Sequence, residues 1–255
     1  MPNNNILTIE NLSKSFDGIQ AVNNCSFNVS TGSITGLIGP NGAGKTTVFN
    51  LITGFLSQDS GNVSFQQKLI DKDPTHNIFK KGLVRTFQIP RELKKMTVLE
   101  NLLVVPKNQI GEHIWSPLFS FKKIQLEEEI NINKAKNILD FIRLNHLTNE
   151  YAGNLSTGQK KLLELARTLM SDPSLVLLDE PVAGVNPTLV NDLMDNIRRS
   201  NKELGITFLI IEHNMNFIMN LCNPIIVLSN GTKIAEGNAE QIKSDQSVVN
   251  AYLGG

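Results

Sequence analysis

A glycine-rich segment carries the clearest chemistry in this sequence. Its residue types follow the order G-x-x-x-x-G-K-[ST], which is the pattern of a phosphate-binding P-loop. The glycines let backbone N–H groups turn inward and form a concave anion site. The lysine would reach the β- and γ-phosphates of a nucleoside triphosphate, and the first threonine hydroxyl would bind Mg²⁺. The segment comprises Gly39, Pro40, Asn41, Gly42, Ala43, Gly44, Lys45, Thr46 and Thr47.

The residues on either side of this segment have the pattern that a P-loop requires. Ser33 to Ile38 is short, apolar and β-branched, which predicts a buried strand. Val48 to Ile52 predicts the start of a helix, whose N-terminus would add the positive end of its dipole to the site. The alternative, a glycine-rich turn that binds nothing, does not need these flanks. The loop by itself does not separate kinases, GTPases and transport ATPases.

Two adjacent carboxylates follow a second apolar strand. Ser174 to Leu178 predicts a buried strand that ends in Asp179 and Glu180, the position of a Walker B pair beside a P-loop. Asp179 would hold Mg²⁺, directly or through water, and Glu180 would activate the attacking water as general base. The alternative is that the two acids only cap the next helix. Two carboxylates beside bound phosphate are costly without a metal, which favours the catalytic interpretation.

A short polar segment opens the next predicted helix, which begins its apolar periodicity at Leu162. Ser156 and Gln159 have the spacing of a capping box, so an ordinary helix start is one interpretation. The other is a second phosphate site, made by the Ser156 hydroxyl, the Gly158 N–H and the helix dipole. The position of the segment shortly before the Asp179 strand favours the phosphate site.

Strands and helices alternate around these motifs, and one stretch is different. Between 89 and 154 the periodicity is helical, with a capping box at Thr97 and Glu100 and an apolar stripe of Ile130, Ile138 and Ile142. Aromatic residues at 106–123 either pack onto these helices or touch a partner. We therefore predict a single domain over 6–255, with a nucleotide-binding α/β core at 6–88 and 155–255 and a helical subdomain at 89–154. Other predicted strands are 6–10, 21–29, 62–65, 83–88, 207–211 and 225–228, and other predicted helices are 74–81 and 187–204.

The composition argues against several classes of protein. The 255 residues include 24 Lys plus Arg and 24 Asp plus Glu, and this balance argues against an electrostatic nucleic-acid binder. Cys25 and Cys222 lie far apart without metal-site spacing, as expected for buried thiols in a reducing cytosol. We see no signal peptide and no apolar stretch of about eighteen residues. We expect a cytoplasmic chain that reaches a membrane only through a partner.

Together these motifs resemble those of the ATP-binding cassette (ABC) transporter ATPases. The resemblance implies the fold of that family: an α/β P-loop NTPase core with an antiparallel β subdomain and an inserted α-helical subdomain. The matching pieces occur in the family's order and span nearly the whole chain, so the resemblance is specific. These pieces are the P-loop from Gly39 to Thr46, Gln88, the signature from Leu155 to Gln159, the pair Asp179 and Glu180, and the single His213 after its predicted strand.

The resemblance also implies how these residues would share the work. ATP would lie between the P-loop of one subunit and the signature of the other in a head-to-tail dimer. Gln88 would contact Mg²⁺ or the attacking water and link the site to the helical subdomain. His213 would contact the γ-phosphate, with a capping or core histidine as the alternative. Phe16 lies where the family places an aromatic that stacks on adenine, and the alternative is an aromatic of a core strand.

Two positions depart from the commonest family pattern. Thr157 stands where the signature usually has glycine, and its side chain could crowd the phosphate contact. Asn186 stands near the place of a Leu-Asp pair in many members. It keeps hydrogen-bonding capacity but not the charge of that aspartate, so a contact across the dimer would form there without the charge.

A narrower resemblance points to a transported substrate. Residues 84–88, 96–102, 181–187 and 251–254 look like the ATPases of branched-chain amino-acid importers, and the insertion at 106–123 is similar to one of that importer's two ATPase types. Urea importers and the ATPase of lipopolysaccharide export share much of this pattern. We expect a bacterial uptake system with transmembrane permease subunits, a second ATPase subunit, favoured as a heterodimer, and a periplasmic or extracellular binding protein. The chain would sit on the inner face of the membrane.

An apolar cluster after Gln88 is a candidate contact for such a permease. Ile89, Leu93, Met96 and Leu103 could line a groove for a short helix of the membrane partner. The alternative is that these residues pack only within the helical subdomain.

The sequence lacks features that two rival classes of protein would need. A non-transport ABC ATPase of DNA repair or translation would need two cassettes in one chain, a long coiled coil or a basic arm, and the sequence has none of these. A P-loop kinase or small GTPase would not need the Ser156 signature or His213, and the guanine-reading pattern Asn-Lys-x-Asp is absent.

Overall fold

The structure is a computed structural model that describes residues 4–86, 92–106 and 121–253. The chain divides into two compact units. One comprises Met1–Gln88, Ser174–Ala183 and Ile197–Gly255, and the other comprises Ile89–Pro173 and Gly184–Asn196. Two predictions fall wholly or mostly outside the described residues: the role of Gln88 with the adjoining Ile89, and the packing of the aromatic segment predicted at 106–123, of which 107–120 lie outside.

Strands of the described chain form two sheets, both in the first unit. A six-stranded sheet has the order β10-β9-β3-β8-β7-β6, and a four-stranded antiparallel sheet has the order β2-β1-β4-β5. In chain order the strands are β1 (Asn5–Phe16), β2 (Ile19–Ser30), β3 (Ile34–Ile38), β4 (Ser60–Phe65), β5 (Lys68–Leu69), β6 (Leu83–Arg85), β7 (Leu175–Asp179), β8 (Thr207–Ile211), β9 (Ile225–Ser229) and β10 (Thr232–Gly237).

The larger sheet explains why its strands are so apolar. Strand β3 pairs in parallel with β8 and β9, and β7 pairs in parallel with β6 and β8. All five residues of β7 and all five of β8 are buried. Parallel strands covered on both faces read as continuous apolar runs, which is why the sequence identified them without alternation. The carboxyl ends of these strands carry the candidate site.

The antiparallel sheet is longer than the sequence predicted. Strands β1 and β2 have 12 residues each, where the sequence indicated 6–10 and 21–29. The strand residues that the prediction left out are mostly exposed and polar, so no apolar–polar alternation marks them as strand. They are strand because β1 and β2 pair with each other along their length. A turn joins the two strands, with Asp17 at φ +46° and Gly18 at φ +85°. Two consecutive positive φ angles suit the tight turn of a β-hairpin.

Helices of the described chain occur in both units. In chain order they are α1 (Lys45–Ile52), α2 (Thr75–Lys80), α3 (Val98–Leu103), α4 (Phe121–Phe141), α5 (Thr157–Met170), α6 (Pro187–Leu204), α7 (Met215–Leu221), α8 (Ala239–Ser244) and α9 (Gln246–Leu253). Helix α6 has the bounds that the sequence predicted, and Gly205 after it has φ +69°, as a helix C-cap requires. The sequence prediction did not include α7, α8 or α9.

The second unit contains α3, α4 and α5. The capping box of α3 is confirmed: the Glu100 N–H donates to Thr97 Oγ1 at 3.2 Å, and the Thr97 N–H donates to Glu100 Oε2 at 2.7 Å. The predicted stripe of α4 is wrong at its first member, because Ile130 is exposed. The buried face runs through Ala135 and Leu139 and continues to Ile142, the residue after the helix, with the i, i+4, i+7 spacing of one helix side.

Strand β6 and the turn after β9 differ little from the sequence predictions. Strand β6 stops at Arg85, before the predicted end at Gln88. Asn230 and Gly231 form the predicted hairpin turn, with φ +47° and +77°, between β9 and β10. Within the described ranges, no helix combines the length and the apolar character that crossing a bilayer needs.

Candidate functional site

The predicted phosphate loop joins β3, an interior strand of the larger sheet, to α1. Gly39 has φ +153°, and a Cβ at this position would lie 2.1 Å from the Leu228 carbonyl oxygen. Gly44 has φ +96°, and a Cβ there would lie 2.4 Å from the Ala21 carbonyl oxygen. Only glycine lets the loop pass this close to neighbouring backbone. Gly39, Ala43 and Lys45 are buried, Pro40, Gly44 and Thr47 are half-buried, and Asn41, Gly42 and Thr46 are exposed.

Lys45 lies over the loop with only 6% of the residue exposed. Its Nζ donates to the Gly39 carbonyl oxygen at 2.8 Å and to the Pro40 carbonyl oxygen at 2.9 Å. Burial lowers the pKa of Lys45, and the negative charges of Glu180 and Asp179 act in the opposite direction. The structure therefore brings the predicted lysine and the two predicted carboxylates into one electrostatic environment.

Asp179 ends β7 and has a buried cationic partner. Its Oδ2 accepts a hydrogen bond from Arg85 Nη2 at 2.8 Å, and the two side chains are 8% and 6% exposed. Arg85 was not among the site residues predicted from the sequence. The signal was present, because a charged residue in a short buried strand needs an opposite charge nearby.

Glu180 and His213 lie at the ends of neighbouring strands and contact each other. His213 Nε2 lies 3.0 Å from Glu180 Oε1. The Glu180 N–H donates to the Ile211 carbonyl oxygen at 2.9 Å, and Glu180 has φ +48°. A non-glycine residue at positive φ is uncommon, and such residues concentrate at functional sites. Two predicted site residues, 33 positions apart in the sequence (213 minus 180), are thus brought within hydrogen-bond distance.

Glu212 fixes the turn that carries His213. It is 4% exposed, and its carboxylate accepts the N–H groups of Val182 at 3.0 Å, His213 at 2.7 Å and Asn214 at 2.9 Å. One buried carboxylate therefore ties the residues after β7 to those after β8. Glu212 was not among the residues predicted from the sequence, because one of the three hydrogen-bond donors that explain its buried charge, the Val182 N–H, lies in a distant segment.

The signature segment forms the start of α5. Ser156 Oγ accepts the Gln159 N–H at 3.3 Å, and Gln159 Oε1 accepts the Ser156 N–H at 2.9 Å. This is a complete capping box, so the ordinary helix start is present whether or not phosphate binds there. Ser156 is exposed and its O–H remains a donor in this arrangement, because the cap uses its oxygen as an acceptor. Gly158 is buried, and a Cβ there would lie 2.2 Å from Leu189 Cδ1.

Thr157 and Asn186, the two residues that depart from the commonest family pattern, both have ordinary local surroundings in the structure. Thr157 is exposed, and its Cγ2 would be 3.9 Å from a Cβ at Gly184, which is ordinary contact. Asn186 Oδ1 accepts the Leu189 N–H at 3.0 Å, next to the first turn of α6. Asn186 thus caps this helix, and an amide oxygen suffices for that task.

Phe16, the predicted adenine-stacking residue, ends β1 and is 41% exposed. The Nζ of Lys14 lies 5.6 Å from the centre of its ring. This exposure excludes the alternative of a fully buried core aromatic. Stacking on adenine stays a prediction.

Phe16→Ala is expected to weaken nucleotide binding by about 1–2 kcal/mol, the scale of losing one base-stacking aromatic. The melting temperature should fall little, because an exposed ring contributes little to the core. Calorimetric titration with an ATP analogue and thermal unfolding measure the two quantities. Leu69→Ala, which truncates another exposed side chain of the same sheet, is the control. A large fall in melting temperature with unchanged affinity would contradict the stacking role.

The donor set fits Mg²⁺, the cation that the motifs imply. Thr46 offers an exposed hydroxyl beside Lys45, and Asp179 offers a carboxylate at the end of β7. Both are hard oxygen ligands, and Mg²⁺ in nucleotide sites is commonly held by one or two such protein groups together with substrate phosphates. Gln88, the third predicted ligand, lies outside the described residues.

The last described helix brings an unpredicted residue to the P-loop. Burial raises the pKa of the Tyr252 phenol, and a hydrogen bond with the Gly39 backbone partly offsets this effect. Tyr252 lies on α9, near the end of the chain. No local pattern connects the two segments, because their positions differ by 213 (252 minus 39).

Known proteins that match this sequence carry related names. The ABC transporter family matches residues 22–183. LivG of Archaeoglobus fulgidus, a probable branched-chain amino acid transport ATP-binding protein, is 48% identical over 98% of this chain and 95% of its own length. A protein of the same name from Methanocaldococcus jannaschii is 45% identical over 98% and 97%. BraF of Pseudomonas aeruginosa, a high-affinity branched-chain amino acid transport ATP-binding protein, is 39% identical over 98% of both chains.

Solved structures match the fold over its full length. The ADP conformation of MJ1267, an ATP-binding cassette of an ABC transporter, has a TM-score of 0.85 and 43% identity, and the match covers 98% of this chain and 99% of that one. A nucleotide-free cassette from an ABC transporter gives a TM-score of 0.84 and 44% identity, over 98% and 100%. From its motifs, its site geometry and these matches, the chain belongs to the ABC transporter family and is one of its ATP-hydrolysing cassettes.

Proposed function

We propose that this chain is the ATP-hydrolysing subunit of a bacterial importer for branched-chain amino acids. One observation supports the substrate assignment: relatives with 37–48% identity over nearly the full chain are named branched-chain amino acid transport ATP-binding proteins. The candidate residues all serve a nucleotide, so the transported molecule would not touch them. The substrate assignment therefore depends on the relatives and not on the geometry of the site.

The P-loop and the N-terminus of α1 would bind the phosphates of ATP through their N–H groups. Lys45 would exchange the Gly39 and Pro40 carbonyl oxygens for oxygens of the β- and γ-phosphates. Its side chain is already held over the loop, so little further conformational freedom is lost on binding. Phe16 would add a stacking surface for adenine.

Glu180 is the group that would take the proton of the attacking water. Its contact with His213 keeps the carboxylate in one orientation, and the backbones of both residues are fixed by hydrogen bonds to β8 and Glu212. His213 would also contact the γ-phosphate, so one imidazole would orient the base toward the phosphorus. Bound Mg²⁺ would neutralise phosphate charge, and Thr46, Asp179 and Gln88 would hold it.

The site would be completed by a second cassette in a head-to-tail dimer. Ser156, Gly158 and Gln159 of the partner cassette's signature would face the γ-phosphate, and the free O–H of the serine is a suitable donor. We favour a heterodimer with a second ATPase type. ATP binding would close the dimer and hydrolysis would reopen it, and the helical subdomain at 89–154 would pass the motion to permease subunits. The cassettes would lie on the inner face of the membrane, and a periplasmic or extracellular binding protein would act indirectly.

Uptake by cells that lack the gene tests the substrate. Deletion is expected to abolish high-affinity uptake of labelled leucine, isoleucine and valine, and the wild-type gene should restore it. Lys45→Ala is the matched control and should not restore uptake, because it removes the phosphate-binding ammonium. Unchanged leucine uptake together with lost urea uptake would contradict the branched-chain assignment and leave the ATPase assignment intact.

A further inference from the structure

The side chain of Arg85 connects the P-loop helix with the predicted metal-binding carboxylate. Its Nη1 donates to Asn50 Oδ1 at 2.6 Å, and its Nη2 donates to Asp179 Oδ2 at 2.8 Å. The guanidinium also lies 5.5 Å from the centre of the Phe49 ring. Asn50 and Phe49 belong to α1, and Asp179 ends β7. A single planar group thus spans the two elements that carry Walker A and Walker B residues.

Strand β6 places Arg85 where it can make these contacts. Arg85 pairs with Leu177 on β7, two residues before Asp179. Its neighbour Thr86 continues the connection, because the Thr86 N–H donates to the Leu177 carbonyl oxygen at 2.9 Å and Thr86 Oγ1 accepts the Asp179 N–H at 3.4 Å. Both the backbone and the side chain of Asp179 are therefore contacted by the end of β6.

A buried ion pair of this kind is weak evidence for stability, because desolvation of the two charges offsets their attraction. The geometry of this ion pair instead indicates a role in orienting the carboxylate. A guanidinium has fixed donor directions, so one fork that holds Asn50 and Asp179 fixes the carboxylate relative to α1. A carboxylate held through one oxygen still has a second oxygen for a cation or for the water shell of that cation.

We propose that Arg85 is a positioning residue that sets the orientation of Asp179 for binding of the metal–nucleotide complex. The proposal rests on the assignment of Asp179 to Mg²⁺ in the proposed function. It predicts that loss of Arg85 weakens metal binding. The opposite role, in which Arg85 competes with the cation for Asp179, predicts that its loss strengthens metal binding.

The test measures metal binding without turnover. Mn²⁺, a paramagnetic substitute for Mg²⁺, is titrated into the full chain with saturating ADP, and free Mn²⁺ is followed by electron paramagnetic resonance. Arg85→Met is expected to weaken Mn²⁺ binding roughly 10–100-fold, the range for losing a residue that orients a metal ligand. Binding of a fluorescent ADP analogue in EDTA should change little, because Arg85 does not belong to the P-loop.

A second variant keeps the test valid if Arg85→Met fails to fold. Asn50→Ala leaves the ion pair in place and removes only the other anchor of the guanidinium, so Mn²⁺ binding should weaken roughly three- to tenfold, the scale of one hydrogen bond. Arg85, unlike Asn50, also lines a cavity of about 510 Å³, so Asn50→Ala leaves the set of side chains that line this cavity unchanged. Arg199→Met, which breaks the exposed pair with Glu203, is the matched control and should leave Mn²⁺ binding unchanged.

Three results would overturn the proposal. Tighter or unchanged Mn²⁺ binding in folded Arg85→Met would show competition or no role. Unchanged binding in Asn50→Ala would show that the bridge to α1 is irrelevant. Full recovery in Arg85→Lys, which restores the charge without the fork, would show that charge alone acts. If the wild-type chain binds no Mn²⁺ with ADP, the metal role of Asp179 fails instead, so the two failures are distinguishable.

Discussion

Glu180→Gln is expected to leave ATP binding intact and to reduce the hydrolysis rate by about 10²–10⁴-fold, the usual contribution of a general base. The amide has the size of the carboxylate but cannot take a proton from water. The structure adds a reason for intact folding: the amide oxygen can still accept a hydrogen bond from His213, whose Nε2 lies 3.0 Å from Glu180 Oε1. The backbone hydrogen bond from Glu180 to Ile211 does not involve the side chain at all.

Two measurements check this result. Steady-state release of phosphate gives the hydrolysis rate, and size exclusion with ATP should show a trapped, ATP-bound dimer in Glu180→Gln alone. Glu203→Gln is a matched control, because Glu203 is an exposed glutamate of α6 that pairs with Arg199 on the same helix. Hydrolysis by Glu180→Gln at near the wild-type rate would show that Glu180 is not the base, and the Walker B assignment would be wrong.

Leu93→Asp is expected to abolish uptake by the reconstituted importer while the ATPase rate of the isolated chain stays nearly unchanged. Leu93 is 41% exposed, and Met96 and Leu103 of the predicted groove are half-buried. Ile89, the fourth member, lies outside the described residues. A carboxylate in an apolar groove would have to be desolvated when a permease helix docks, which opposes docking strongly.

Asn101 explains why this substitution should not unfold the chain. It is fully buried, and its Oδ1 accepts the Leu93 N–H at 2.8 Å. Its Nδ2 donates to the carbonyl oxygens of Leu93 at 3.1 Å, Met96 at 3.3 Å and Thr97 at 2.9 Å. The backbone of this segment is therefore held by one amide, independently of the Leu93 side chain. A substitution at such an exposed position usually changes stability by less than about 0.5 kcal/mol.

The Leu93 test is paired with a control in the same unit. Leu126→Asp places the same charge on an exposed leucine of α4, and we expect both uptake and ATPase activity to be retained. Uptake by proteoliposomes, the ATPase rate and the melting temperature are measured for each variant. Loss of both activities in Leu93→Asp with a lowered melting temperature would place Leu93 in the core of the helical subdomain and remove the groove hypothesis.

The sequence by itself determined the parts of this protein that depend on neighbouring residues. The P-loop is continuous, and its glycines at positions 39 and 44 are required by close backbone contacts that the motif already encodes. The capping boxes at Thr97 and Ser156 were predictable because their partners lie three residues away. The strands β7 and β8 were predictable because burial on both faces leaves a continuous apolar run. The family follows from the order of these local signals.

Only the tertiary structure decided which distant groups meet. Arg85 and Asp179 are 94 residues apart, and nothing in the period or composition of either segment names the other. The same holds for Glu180 with His213 and for Tyr252 with Gly39. The edges of the strands were missed for a related reason: the polar ends of β1 and β2 are held by hydrogen bonds to each other. Local propensity and burial set which elements form, but the strand order β10-β9-β3-β8-β7-β6 sets which strand ends lie side by side, and the chemistry is built from those ends.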